Sequence, residues 1–562
     1  MWRGATPPPL GPPRDWVALP REHYVSVPKA RLFGRLAAGR DELSDLFRLA
    51  EAILSARWQP VLEQLKADYE LFSPESGARA REGVSREELL ARQRRFFHNF
   101  LLTMRRANFL PFTEEEARLA ADQRYLFDLP ASVNWEVLDA RPLRDLREHL
   151  SSSSAEAVQA REALELGPGG LGDWLQPSGD MGDHALVFFR GMDRDQHEGR
   201  YLLARVDVAV ERLLKVLAFP ILGPLQWAVE RARGEEPAPE LAPSQSPGEV
   251  RRWVRRVNVR NLPLLATIGR KTRLQEPAFR QLVTVFRLEP QEEALLSRQG
   301  LFRLRASGEL DTARARRLLD EEEQGEGEGE DWSLWIKLFR QIPLADSEIV
   351  FPDMLLRMRS FDLALLLVSA AAVVPTLVTA FARPRGTAYA VMAALLVMIW
   401  RLVSRTIQVR QAYQARLTRD LYAKNLDTNA GVLQFLVDSL EEQELKEALL
   451  VYAALLEAGR PLSAAELDQV VEARLAAEHE AEVDLEIEDA LAKVKPTGPL
   501  PIVEELPGEG DSGSRYRALP VGDAMAALEE RWRAWPEELR ASPHPYAAPW
   551  RSRSSPLRRD RT

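Results

Sequence analysis

Apolar residues recur at helical spacing over Asp41 to Tyr69, for example Leu43, Leu46, Phe47, Leu49 and Ile53, and again over Ser85 to Ala107, which predicts two amphipathic helices. Ahead of them, Arg21 to Pro28 reads as a short extended segment running into a helix that starts at Pro28. Thr113 to Glu116 has capping-box spacing and opens a further helix. These make residues 15–150 a helical N-terminal region behind a disordered Pro-rich start, 1–14. Residues 151–182 read as a loop-rich joint. Gly167, Gly169 and Gly172 in it match G-x-G-x-x-G literally, but Pro168 interrupts them and no clear strand feeds them, so a flexible loop is expected. The period then shortens to two. Ala185–Phe189, Val254–Val259, Phe279–Leu288, Leu301–Arg305 and Trp332–Gln341 are strand-like, the last alternating Leu334, Ile336 and Leu338 against Trp335 and Phe339. With a helix at about Leu202 to Phe219, residues 183–360 form an α+β middle domain carrying an acidic Glu/Gly insert at 320–331.

Between Leu363 and Phe381 there is no charge, and about 19 residues at ~1.5 Å rise would cover roughly 28 Å, close to a bilayer's hydrocarbon thickness. A Pro/Gly turn and a second apolar run, Ala388 to Val403, make 361–403 a transmembrane hairpin on this reading. Arginines flanking both ends outnumber Arg383 and Arg385 in the turn, which puts both large domains on the cytoplasmic side. Post-membrane helices follow at 404–460: Leu402–Leu426, Val432–Leu440 and Glu441–Ala458, the first broken at Lys424 to Gly431 where Asp427 or Asn429 can cap the next. Residues 461–540 show helix, helix, two short strands and a closing helix, an order that resembles a winged helix, and 541–562 is a disordered basic tail. The expected fold class is thus α+β with a two-helix transmembrane hairpin, an N-terminal helical region and a C-terminal helical and winged-helix-like domain.

The chain has 562 residues, no Cys and a formal net charge of -9. The missing Cys exclude disulfides, thiolate metal sites and a cysteine nucleophile, and the charge argues against wholesale nucleic-acid binding. There is no H-E-x-x-H, Walker loop or G-x-S-x-G, and the seven His are scattered, so no catalytic, cofactor or metal residue is nominated. Two groupings remain. Arg251, Arg252, Arg255, Arg256, Arg260, Arg270, Lys271, Arg273, Arg280 and Arg287 form a basic stretch that could rest on anionic lipid headgroups or be a solvated sheet face. Lys337, Asp346 and Glu348 before the apolar runs, and Lys424, Asn425, Asp427 and Asn429 after them, are expected to meet as a polar clasp, with Lys337 or Lys424 pairing Asp346, Glu348 or Asp427. The would-be recognition helix contains Asp484, Glu486, Glu488 and Asp489, which phosphates would repel, so a protein partner is expected there.

Arg21 to Val27, Arg106 to Thr113, Lys337 to Pro352, and above all Leu421 to Asn429 followed by Gln443 to Leu450, resemble the transmembrane-protein-143 family, whose domain carries the label of unknown function. The resemblance implies a two-pass protein of a bacterial inner or an organellar membrane and brings no catalytic residues. The resulting expectation is a membrane-anchored scaffold or interaction protein touching the bilayer and protein partners. The alternative is a membrane-tethered enzyme or headgroup-binding protein with its site where the domains join the hairpin.

Overall fold

The computed structural model describes residues 16–19, 22–37, 39–113, 116, 131–154, 157, 158, 160, 161, 180–199, 252–255, 257, 272–289, 332–352, 354–356, 397, 400, 404, 421–479, 483–507 and 514–541. Its helices are α1 (Lys29–Leu36), α2 (Asp41–Tyr69), α3 (Arg86–Arg106), α4 (Arg141–Ser151), α5 (Ala430–Ala458), α6 (Ala464–His479), α7 (Ile487–Val494) and α8 (Val521–Ala541), with single turns at Gly77–Ala80 and Asp180–His184. The strands are β1 (Trp16–Leu19), β2 (Leu110–Pro111), β3 (Ala131–Val133), β4 (Ala185–Gly199), β5 (Arg252–Arg255), β6 (Thr272–Phe286), β7 (Trp335–Pro343), β8 (Met354–Leu356), β9 (Asn425–Thr428), β10 (Leu462–Ser463), β11 (Val503–Leu506) and β12 (Arg515–Ala518). Local chemistry accounts for the boundaries. Ser85 Oγ accepts from Glu88 N at 3.2 Å to cap α3, whose first turn holds Glu87 and Glu88 and whose last holds Arg105 and Arg106, each suited to the helix dipole.

β2, β4, β6, β7 and β9, in that order, form an antiparallel sheet. Alternation along each strand gives it two apolar faces. On one, Leu186, Phe188, Val283, Val285, Ile336 and Leu338 pack against Trp58, Phe96, Phe100, Val432 and Leu436 of α2, α3 and the start of α5. On the other, Phe189, Leu282, Phe286 and Phe339 meet Val137, Leu138, Met181, Val350 and Phe351. Arg287, 3 % exposed, donates from Nε to Asp139 Oδ2 at 2.6 Å and ties this second layer to the end of β6.

A second core joins Val25, α1, the first half of α2, the second half of α5, α6, α7, α8 and the small sheet β10-β12-β11. Helix, strand, helix, helix, strand, strand, with the third strand between the first two, is the arrangement of a winged helix. The two cores are not laid out in chain order, because α2 and α5 each pass through both.

Where α5 crosses from one core to the other it carries Gln443, Glu444, Lys446 and Glu447, each no more than 5 % exposed. Their partners arrive from four parts of the chain. Val25 donates its N–H to Gln443 Oε1 at 3.1 Å, and its carbonyl accepts from Lys446 Nζ at 3.1 Å. Trp58 Nε1 donates to Glu444 Oε2 at 2.8 Å, and Asn108 Nδ2 donates to Glu447 Oε1 at 3.3 Å and to His23 O at 2.8 Å. From α7, Lys493 Nζ reaches Glu447 and, at 2.7 Å, Asp489. Burial alone would lower the Lys493 pKa, but the Glu447, Glu444 and Asp489 carboxylates hold it above the usual lysine range.

The expected transmembrane hairpin is corrected here. Among the described residues no helix is long and apolar enough to cross a membrane, so neither the hairpin in the fold class nor an integral, multi-pass membrane placement is supported. Of residues 361–403, only Val397 and Trp400 are described, both helical, and the rest of that segment lies outside the described residues. The physical reason the expectation misled is that apolar runs are selected by a protein interior as well as by lipid, and the two apolar stretches of α5 show the first case. Val432 to Leu440 and Leu445 to Leu455 are enclosed by two cores of this chain.

Two outcomes follow from these contacts. Lys493→Met strands Glu447 without its cation and should cost about 3–5 kcal/mol in urea unfolding, and adding Glu447→Leu should recover part of that loss; strictly additive costs would count against the coupling. Asp139 is pulled up by burial but held net below its usual pKa by Arg141 and Arg287. A depressed carboxyl contributes stability above its unfolded pKa, about 4, and loses it as pH falls through the folded value. The acid branch of the stability profile should therefore flatten in an Asp139→Asn variant.

Candidate functional site

Pairing of β6 with β7 sets Thr284 opposite Lys337, and pairing of β7 with β9 sets Lys337 opposite Thr428. These three lie on the far face of the sheet, together with Phe286 and Trp335 one step along. Lys337 Nζ stands 5.4 Å from the Phe286 ring centroid and 5.8 Å from that of Trp335. Burial pushes its pKa below the usual lysine value. Thr284 Oγ1, Trp335 Nε1 and Ser347 Oγ are buried without hydrogen-bond partners. Glu348, in the 3-10 turn Leu344–Val350, has its carboxyl pushed up by burial.

The segments expected to form a polar clasp do lie side by side, as β7 and β9, but the backbone ladder joins them. Lys337 faces Thr428 whereas Asp427 faces Leu338, so the ammonium and the carboxylate leave the sheet on opposite sides. Asp427 Oδ1 accepts from Thr428 N at 2.8 Å, and Lys424 Nζ donates to Gln341 O at 2.8 Å. Asn425, with its amide oriented by its neighbours, donates to Leu338 O at 3.0 Å and Asp427 O at 3.1 Å. Asn429 N donates to Ile336 O at 2.7 Å, and its φ of 56° turns the chain from β9 into α5. Gly431 follows, and the Asp427 carboxylate lies where a Cβ at that position would be. Asp346 lies in the 3-10 turn beside Glu348.

The basic stretch is divided. Arg252 and Arg255 lie in β5 and Arg273 is exposed on β6, while Arg251, Arg256, Arg260, Arg270 and Lys271 fall outside the described residues. Arg287 points inward to Asp139, and Arg280 Nη1 donates to Tyr24 OH at 3.3 Å.

Beside α5 a cavity of about 240 Å³ is lined by Lys29, Glu51, Leu54, Asp438, Glu441 and Glu442. Most of these charges are engaged: Lys29 with Glu51, Glu442 with Lys446 at 2.7 Å, and Glu441 with Ser55 Oγ at 2.7 Å. Burial, with Asp438 and Glu444 nearby, pushes the Glu441 carboxyl up. Among the described residues no group of three or more His, Cys, Asp or Glu is placed to hold a metal.

Two sets of residues were given no role by the sequence reading, although Gln443 to Leu450 is among the stretches that carry the family resemblance. Gln443, Glu444, Lys446 and Glu447 are strongly polar positions set between Leu440 and Leu449 on one helix, a signal that was present but reads equally as a solvated face. Thr284 had no signal, since a threonine within a strand is ordinary.

A family model described as a protein of unknown function (DUF3754) matches residues 279–431. The match takes in Thr284, Lys337 and Thr428, and ends at Gly431 on the first turn of α5. No curated protein and no solved structure matches the chain.

Proposed function

We propose that this chain is an interaction protein whose winged unit meets a basic protein partner through the outer face of α7. The observation that carries the reading is the division of that short helix. Ile487, Ala490, Leu491, Lys493 and Val494 are buried on its inner side, and Glu486, Glu488, Asp489 and Ala492 are exposed on its outer side. Burial first and the neighbouring Asp489 second push the Glu486 carboxyl up, against His23 and Arg105, which act the other way. In winged helices the corresponding helix is the one offered to a ligand. Here its surface is acidic and would repel phosphates while attracting lysine and arginine side chains.

The test is fluorescence anisotropy of a labelled Arg/Ala-repeat peptide titrated with the full chain at about 0.15 M salt, where long-range attraction is screened within ~8 Å. A Glu486→Lys/Glu488→Lys variant should bind at least about tenfold more weakly, and a Glu42→Lys/Glu63→Lys control on α2 should bind as the unaltered protein does. Equal loss in both variants, or competition by a DNA duplex, would reject the reading.

A further inference from the structure

The row Val187, Thr284, Lys337, Thr428 crosses four strands on the far face of the sheet. Leu282 and Phe339 flank it on one side, and Phe286 and Trp335 on the other. An apolar face is thus interrupted by one polar line. Side chains directly opposite on antiparallel strands have Cβ atoms about 4.5–5.5 Å apart, so Thr284 and Thr428 both border the Lys337 stem.

A lysine ammonium offers three donors and accepts nothing. Lys337 spends its charge on the faces of Phe286 and Trp335, and among the described residues no oxygen accepts from it. Thr284, with 0 % exposure, leaves its hydroxyl without a partner, and the Trp335 indole N–H is buried without an acceptor. Buried donors left unmade are costly, and an oxygen acceptor entering beside Lys337 would satisfy its ammonium and bring an acceptor to a row whose Thr284 and Trp335 donors have none. Lys337 and Thr428 are only partly buried, so the row opens to solvent at the β7–β9 end.

We propose that this row is a binding site for the carboxylate of a small apolar acid. A single ammonium in an apolar setting balances a single negative charge, whereas a phosphate group, with about -1.5 to -2 at neutral pH, would leave charge uncompensated there. The Trp335 ring, only partly buried, supplies the surface for the acid's apolar body, and the buried Phe286 ring lines the inner end of the row. The site lies in the sheet core, away from the acidic face of α7, and is independent of the partner read there.

Benzoate is the probe, titrated by calorimetry and thermal unfolding into the full chain at constant ionic strength, with inorganic phosphate and chloride as comparison anions. Benzoate should bind and raise the unfolding temperature, and phosphate should do no more than chloride. Lys337→Met should weaken benzoate binding by about tenfold or more while leaving the protein no less stable, because it removes a desolvated charge. Thr284→Val should weaken binding severalfold, again without loss of stability, since its hydroxyl has no partner to lose. Absence of benzoate binding, equal binding by Lys337→Met, or a phosphate effect matching that of benzoate overturns the proposal. Should Lys337→Met fail to fold, unchanged affinity in Thr284→Val overturns it alone.

Discussion

A helix enclosed by protein along most of its length must satisfy its polar groups from within, and α5 does so at one place, the crossing between the two cores. Gln443 and Lys446 take both backbone groups of Val25, which fixes the N-terminal segment without a regular strand to hold it. Glu444 takes the Trp58 indole, so the midpoint of α2 is held where that helix, too, changes cores. Glu447 takes Asn108 from the end of α3 and Lys493 from the winged unit. Losing any one member leaves its neighbours buried and unmet, which makes the crossing a cooperative joint rather than a set of separate contacts. The winged unit is therefore fastened to the sheet core, and α5 is the fastening.

How much of this was legible in the sequence depends on how far apart the partners are. The alternation through Ile336 and Leu338 announced a two-faced strand, and the apolar spacing in Asp41–Tyr69 announced α2 over its full length. Such signals are local and survive without a structure. Break points were less legible: Val432–Leu440 and Glu441–Ala458 were expected as two helices, and α5 runs through both, because Glu441 and Glu442 interrupt the pattern without interrupting the backbone. The buried joint was illegible as a site because Val25, Trp58, Asn108, Gln443 and Lys493 come from distant stretches, and nothing in any one of them names the others.

Lys337 and Asp427 show the same limit more finely. Their segments were expected to meet and they are adjacent strands, yet the expected ion pair depends on a parity that no local pattern fixes. The ladder shifts between Leu338 and Phe339, where β9 has one more residue than its partner. A one-residue change in strand register exchanges the faces of every side chain. Register here places Thr428, not Asp427, beside Lys337, and so leaves the lysine on an apolar face with no carboxylate across from it.

The sign of the winged unit's outer surface follows from the way the unit is attached. The α7 sequence from Ile487 to Val494 contains one base, Lys493, and two acids, Glu488 and Asp489, with Glu486 just before it. Lys493 is turned inward to meet Glu447 at the joint, and one helical turn back it also holds Asp489. Turning that lysine inward leaves Glu486 and Glu488 exposed while it pairs with Asp489, so the contact that fixes the winged unit to α5 also leaves its exposed helix without a base. A lysine on the outer face would have offered phosphates a foothold and left Glu447 buried without a cation. Attachment and the charge of the exposed helix are thus set by one side chain, and a change at Lys493 would alter both.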